Sequence, residues 1–436
     1  MMHPIQELIK NRTESRIGIY SCCSANEYVL RAAMKRAGDI DEFLLIEATA
    51  NQVDQFGGYT GMKPEDFVRF VRRLAEQESF PEEKLILGGD HLGPLTFSNL
   101  PKEKAMQNAE ELVRYYISAG FTKIHLDTSM KLLTDSNDHR LTDEVIAQRG
   151  ARLCKACEEA FAKRQNQYPD ALPPVYVIGS EVPIPGGAQE EEDSVQVTTG
   201  AAARATLDSF KSAFLALGLE QAWDRVVGLV VQPGVEFGDG AVFEYKRNAA
   251  RELTAILQDN TKIVFEAHST DYQTQKCLRE LVEDGFAILK VGPALTFAFR
   301  EALFALELIE RELNQIRPFL PGVSDFRNVL EVEMLTDHSK WKNHYHGTDH
   351  ELRFERAFSF SDRARYYFPE PNVTRAIDTL IENLSGRQIP LTLLSQYLPA
   401  QYKRVREKKI ENRPLALIKD RIGDCIDDYL TAAHRV

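Results

Sequence analysis

Residues Lys84–Pro94 read KLILGGDHLGP. The apolar run Leu85-Ile86-Leu87 gives way to two glycines, then to an acid and a base, Asp90 and His91. A short apolar run without alternation is the pattern of a parallel strand buried on both faces. The C-terminal end of such a strand is where an α/β barrel or a doubly wound sheet places its chemistry.

Outward from this stretch the same design recurs. Strands are expected over 16–24, 43–49, 123–129, 175–182, 226–233, 262–269 and 286–293. Helical stretches separate them at 26–38, from Pro64, and at 101–119, 142–165, 201–217, 245–257, 272–284 and 295–313. Parallel neighbours need crossovers of a dozen or more residues, and these intervals are long enough. Eight strands, each followed by a helix, is the count of a (β/α)8 TIM barrel. An open doubly wound sheet would show fewer strands and a glycine-rich fingerprint after the first, and SCCSAN at 21–26 is not one. From about Asn314 the alternation stops. RNVLEVEML, NVTRAIDTLIENL, PLTLLSQYL and LIKDRIGDCIDDYLTAAHR fit short amphipathic helices. The expected organisation is a barrel over 1–313 and a helical C-terminal extension over 314–436.

Composition narrows the class of function. The 436 residues are 43% hydrophobic and 27% charged, as in an enzyme-sized globular protein. A formal net charge of -12 disfavours nucleic acid as a partner. No run approaches the roughly 20 apolar residues of a membrane span, and the first residues lack a signal-peptide pattern. A cytoplasmic location is expected. Six cysteines in so long a chain are no disulfide framework. The CxxC of Cys154 and Cys157 falls in a helical stretch and reads as ordinary helix-face cysteine. The tract holding His338, His344, His346 and His350 lacks periodicity and reads as surface or interface histidines rather than a metal site.

Most strand ends deliver a polar residue: Glu47, Asp90 with His91, His125 with Asp127, Glu181, Gln232, Glu266 with His268, and Lys290 with Gly292. Two-residue spacing puts a pair on one side of a strand, and charge facing the helices would be buried unpaired at high cost. The lumen rim is the economical position. Singly, each residue has a plainer reading: His125 as a hydrogen-bonded interior histidine, Glu47 as a partner of Lys290, Asp90 as a turn cap, Glu266 as a support for a histidine. Together, carboxylates and imidazoles at one mouth form the donor set of a divalent metal with acid–base groups. The loop FGGYTGM at 56–62 reads as a turn or as a lid closing Tyr59 on a ligand. Pro183–Gly187 reads as a second lid, and Glu190–Asp193 as a solvated acidic loop. Ser269, Thr270 and Asp271 offer N-cap oxygens to the next helix. Neither HSTDYQ nor VGPALTF is glycine-rich enough for a strong phosphate cradle.

Several strings resemble one family: IEAT, FGGYTGM, ILGGDHLGP, KIHLD, VQPGVEF, FEAHSTDYQT and FAILKVGPALTFA, with SDRARYYFP and IPLTLLSQYLPAQY in the extension. The chain resembles the Z subunit of D-tagatose-1,6-bisphosphate aldolase, the GatZ/KbaZ-like proteins, along nearly its whole length. The resemblance implies a TIM barrel related to class II, zinc-dependent aldolases. It implies metal binding by His91 and His268 and proton handling by Asp90. A third metal histidine is expected where this chain carries Gln232; Glu181 is inferred from its position to complete the coordination. Asp90, Asp127 and Glu181 are the expected catalytic groups. Glu47, Tyr59, His125, Gln232, Lys290 and Gly292 are expected to bind substrate. The expected cofactor is a divalent metal, zinc first, with manganese and nickel as alternatives. In the family the Z protein supports a catalytic Y subunit in galactitol, tagatose or amino-sugar breakdown, so an oligomer and a Y-type partner are expected. The alternative is that this chain is itself a metal-dependent ketohexose 4-epimerase interconverting fructose and tagatose by retro-aldol or proton-transfer chemistry. The substrate is a ketohexose or its phosphate on either reading.

Overall fold

The computed structural model describes residues 2–15, 17–136, 140–181, 195–319 and 322–434, without the side chains of 12–15. The proposed lid at 183–187 and the acidic run at 190–193 lie outside the described residues.

A helix, α1 (Pro4–Ser15), precedes the first strand. The first half of the barrel then runs β1 (Ile19–Cys22), α2 (Glu27–Asp39), β2 (Leu44–Thr49), α3 (Pro64–Gln77), β3 (Leu85–Leu92), α4 (Lys102–Ala119), β4 (Lys123–Leu126) and α5 (Asp143–Gln167). The second half has β5 (Val175–Ile178), α6 (Gly200–Ala216), a short α7 (Glu220–Trp223), β6 (Val226–Val230), and a small hairpin of β7 (Glu236–Phe237) and β8 (Val242–Phe243). It closes with α8 (Arg251–Ala255), β9 (Val264–Ala267), α9 (Gln275–Glu283), β10 (Ile288–Val291) and α10 (Pro293–Ile316). Six further helices follow: α11 (Phe326–Thr336), α12 (Asp349–Phe358), α13 (Pro371–Ser385), α14 (Leu391–Tyr397), α15 (Pro399–Arg406) and α16 (Pro414–Ala433).

Strands β1, β2, β3, β4, β5, β6, β9 and β10 close into one barrel, with every pairing parallel. The fold is a (β/α)8 barrel. Two local expectations fail. Residues 245–257 are helical only from Arg251, because irregular chain and a turn occupy 245–250. The stretch 272–284 starts its helix at Gln275, capped by Thr274, so Ser269–Asp271 do not cap it. Strands β5 and β6 also stop short, which leaves Glu181 and Gln232 in the loops beyond them.

The lumen is layered. At the N-terminal ends of the strands α1 acts as a plug. It lays Ile5 and Ile9 against Ile19, Leu45, Ile86, Val175, Val227 and Val264. Burying each such side chain contributes about 1.5–3 kcal/mol. Above this apolar floor lie fully buried Glu47, Lys123 and Glu266, and above them the strand-end groups. Outside the strands, one apolar core joins the helical jacket to the C-terminal helices. Helix α16 packs on α2, α9 and α10 and reaches β1. Cys154 and Cys157 are free, buried thiols of α5. Among the described residues no helix is long and apolar enough to cross a membrane.

Candidate functional site

In a regular strand Asp90 and His91 would point to opposite faces. In β3 they do not, because the pairing with β4 slips between Gly89 and Leu92. His91 takes a left-handed backbone with φ +50, rare for a residue with a side chain. Its N–H donates to Asp90 Oδ1 at 3.0 Å. The bulge turns both side chains to the mouth, a use bulges commonly serve beside active sites. Two glycines make room. A Cβ on Gly88 would sit 2.7 Å from Glu47 Cγ, and one on Gly93 would sit 1.6 Å from the Asp127 carbonyl oxygen.

Three imidazoles from β3, β4 and the end of β9 gather there. Ring centroids are 4.9 Å apart for His91 and His268, 5.2 Å for His91 and His125, and 5.1 Å for His125 and His268. Each has a carboxylate on one nitrogen. His91 Nδ1 lies 2.8 Å from Asp127 Oδ2, His125 Nδ1 2.9 Å from Asp90 Oδ1, and His268 Nε2 3.0 Å from Glu266 Oε1. A carboxylate on one ring nitrogen fixes the tautomer and aims the other, as around protein-bound metals. His125 Nε2 is buried without a hydrogen-bond partner.

Beneath lies an ionic layer. Lys123 pairs with Glu47 and, at 2.5 Å, with Glu266. Lys290 pairs with Glu47 and, at 2.9 Å, with Asp90. Burial alone would raise the carboxylates, yet His91 and its neighbours hold Asp90 far below the usual range. Lys123 and His268 likewise bring Glu266 to about 2. Burial would lower His91, but Asp90 and Asp127 outweigh it and raise it to about 9. Burial lowers His268, and Glu266 offsets only part of that.

This donor set fits a divalent cation. Ligand atoms of Asp90, His125, Glu266 and His268 all lie within 4.8 Å of one another, and Nε2 of His91 is 3.7 Å from Asp90 Oδ2. Nitrogen and carboxylate donors are those that zinc takes. Charge agrees: Glu47, Asp90 and Glu266 face the ammonium groups of Lys123 and Lys290, while Asp127 faces His91. A cation that displaced the proton of His91 would meet four carboxylates against two ammonium groups, a deficit that one divalent charge cancels.

The cluster forms part of the wall of a cavity of about 120 Å³. Asp90, His91, His268, Lys290 and Gly292 line it from the barrel, and Tyr59 from the glycine loop. Arg365, Tyr366 and Phe368 line it from the C-terminal helical region. Tyr59 meets the Tyr366 ring edge-on at 4.9 Å.

Of the residues singled out from sequence, His125, Asp127 and Glu47 lie directly behind this wall. Glu181 and Gln232 do not join the cluster. Glu181 is exposed and accepts from Thr198 Oγ1 at 2.5 Å. Gln232 spends its side-chain oxygen on the N–H groups of Gly234 and Val235. Asp271, expected to cap the helix after β9, instead accepts from Gly292 N at 3.0 Å and Ala294 N at 2.8 Å, at the start of α10. His344 receives a 2.6 Å bond from Arg363; none of the four histidines of its tract joins a metal-type group among the described residues. Lys123 and Arg365 escaped the sequence reading. Lys123 opens KIHLD at the very position where a lysine looks like a strand's solvated first residue, and Arg365 lies outside any strand end.

The sequence matches the profile of one family over residues 5–434: D-tagatose-1,6-bisphosphate aldolase subunit GatZ/KbaZ-like. Among solved structures, a protein of Sinorhizobium meliloti 1021 described as a "probable tagatose 6 phosphate kinase" is 45% identical with a TM-score of 0.86, covering 95% of this chain and 100% of its own. The YdjI aldolase of Escherichia coli K12 is 13% identical with a TM-score of 0.41, covering 86% of this chain and 100% of its own. The fructuronate-tagaturonate epimerase UxaE of Cohnella laeviribosi is 13% identical with a TM-score of 0.44, covering 95% and 81%. Likeness as weak as these last two says nothing about chemistry in this chain. The profile match runs over nearly the whole chain: the chain belongs to the D-tagatose-1,6-bisphosphate aldolase subunit GatZ/KbaZ-like family.

Proposed function

We propose that the barrel mouth binds a divalent cation and a ketohexose or ketohexose phosphate, and that it breaks and remakes the bond between C3 and C4. The observation that carries this reading is the convergence of His91, His125 and His268 beside ionised Asp90, with His91, His268 and Asp90 on the wall of a cavity. His91 and His268 hold the cation. His125 is a better third ligand than Glu181, because its Nε2 is buried and unpaired while Glu181 is exposed on Thr198. Zinc suits this set best, with manganese and nickel as alternatives. A cation there would polarise the C2 ketone and favour negative charge on its oxygen. Asp90 takes the proton of the C4 hydroxyl as the C3–C4 bond breaks and its electron pair passes toward C2. Asp127 keeps the His91 ring in place. Return of that pair to the other face of the new aldehyde, with the proton restored, yields the C4 epimer; escape of the aldehyde completes an aldolase half-reaction.

The test is direct. Purified protein loaded with zinc or manganese should bind close to one equivalent of metal, and His91→Ala and His268→Ala should lose it. The loaded protein should exchange C4 configuration, or release a triose, when given a ketohexose or its phosphate, followed by carbon-13 NMR. Metal bound at neither histidine would sink the reading.

The family's description as an aldolase subunit supports a second reading, in which the chain stabilises and activates a separate Y-type catalytic barrel. Full activation of a purified Y-type subunit by the His91→Ala variant would favour that role. An oligomeric state and action in the cytoplasm belong to both readings.

A further inference from the structure

We propose that Arg365, supplied from beyond the barrel by the segment Arg363–Tyr367, holds the phosphate of a phosphorylated ketose in this mouth. The family's description carries a bisphosphate, and the assignment of Arg365 to a phosphate rests on the reading of the mouth as a ketose site.

The ordinary place for a phosphate in such a barrel is the helix start after one of the last strands. Here that place is filled. The N–H groups of Gly292 and Ala294 at the start of α10 both donate to the Asp271 carboxylate. An anion arriving there would meet a carboxylate. Lys290, the cation on the barrel side of the cavity, is committed to Glu47 and Asp90. Arg365 lines the same cavity, and among the described residues no carboxylate oxygen lies within 4.0 Å of its side-chain nitrogens. Its Nη1 donates to the carbonyls of Ser361 and Asp362, and its Nη2 to the Tyr366 hydroxyl at 3.0 Å. These bonds use three of the five N–H groups of a guanidinium and leave two. The guanidinium carbon stands 4.4 Å from the centre of the Tyr366 ring, and the planar fork suits a phosphate.

The arginine is held in place before any ligand arrives. Asp362 adopts φ +45 to start the segment. Its carboxylate accepts from buried Arg300 at 2.9 Å and from Thr296 Oγ1 at 2.6 Å, both on α10. Thus α10 anchors the segment that brings Arg365 to the wall of the cavity that His91 and His268 also line.

Calorimetric titration of the full chain with a ketohexose 6-phosphate, a ketohexose 1,6-bisphosphate and the free ketohexose tests this, with chelator present so that only binding is read. The phosphorylated forms should bind at least roughly tenfold tighter, since bonds to a charged group carry that much. Arg365→Met should abolish the difference, while Arg365→Lys should keep part of it. In the unaltered protein the phosphorylated ketose, and not the free one, should protect Arg365 from phenylglyoxal, read by peptide mass. Equal affinities in the unaltered protein, a preference that survives Arg365→Met, or absence of protection would each overturn the proposal. A preference that depends on Arg365 in a protein without turnover would sink the proposed chemistry and leave this assignment standing; turnover with no such preference would do the reverse.

Discussion

Gly93 and Lys123 show how much of the site depends on single residues that carry no chemistry. A methyl on Gly93 would overlap the Asp127 carbonyl, which is backbone and cannot swing away. Gly93→Ala should destabilise the protein by about 3 kcal/mol or more in urea unfolding. Gly88→Ala meets only the Glu47 side chain and should cost less, while weakening the Lys123 and Lys290 pairs. Lys123 is fully buried between Glu47 and Glu266. Lys123→Met leaves both carboxylates short of a counter-charge, and a broken buried pair costs about 3–5 kcal/mol. The double variant Lys123→Met with Glu266→Gln should recover part of that loss in the same unfolding measurement. Asp127→Asn should keep the fold but lower metal affinity about 10- to 100-fold, read by competition with a chelating dye, because His91 loses the group that orients it. Asp90, His91, His125 and His268 were legible as a set because strand ends of a barrel share one mouth. Glu181 and Gln232 misled because strand length is read only to within a few residues, and three residues past Ile178 is already a loop. The bulge at His91 left no mark beyond the glycines beside it.

Among the elements, α1 has the least conspicuous sequence and a defined task. Nothing in PIQELIKNRTES announces a plug, since its two core isoleucines are too few for a strong stripe. The barrel strands were readable because each is a short apolar run, whereas α8 was overread because the hairpin before it is only two residues per strand. The plug carries a titratable group. His3 is buried; Ile5 N donates to its Nδ1 at 3.2 Å and its Nε2 lies 3.1 Å from Thr122 Oγ1. Burial lowers His3 to about 4 from its ordinary 6.5. Between those values the unfolded chain binds the proton and the folded one does not, so stability rises with pH through this window. The contribution is intact above pH 6.5 and is lost as pH falls toward 4. Acidification from pH 7 to 5 should therefore cost about 2 kcal/mol through this group. His3→Gln should flatten that part of the stability profile, and hydrogen exchange should show α1 opening first.

At the scale of the whole molecule, the helices that follow the change of pattern at Asn314 pack on the barrel's own jacket. Gly18 N, at the entry to β1, donates to the Ala433 carbonyl at 3.0 Å. Tyr429 Oη donates to the Thr270 carbonyl at 2.7 Å, and Tyr272 Oη to the Phe360 carbonyl at 2.6 Å, so two parts of the late region hold the loop after β9. Asp420 pairs with Arg36 at 3.0 Å and Lys419 with Glu78 at 3.0 Å, tying α16 to α2 and to the end of α3. Along α16, Leu417, Ile418, Ile422, Ile426, Tyr429 and Leu430 are buried. At about 1.5–3 kcal/mol for each apolar side chain, that face alone contributes on the order of 10 kcal/mol. A domain's net stability is only about 5–15 kcal/mol. A chain ending at residue 313 would bare the faces of α2, α9 and α10 that α16 covers, and would also lack Arg365. It should aggregate or lose its near-ultraviolet circular dichroism, and adding the 314–436 segment in trans should not restore a cooperative transition. A truncated barrel that stayed monomeric and unfolded cooperatively would show instead that the outer jacket closes without its last helix, and would make the late region an accessory rather than a wall of the site.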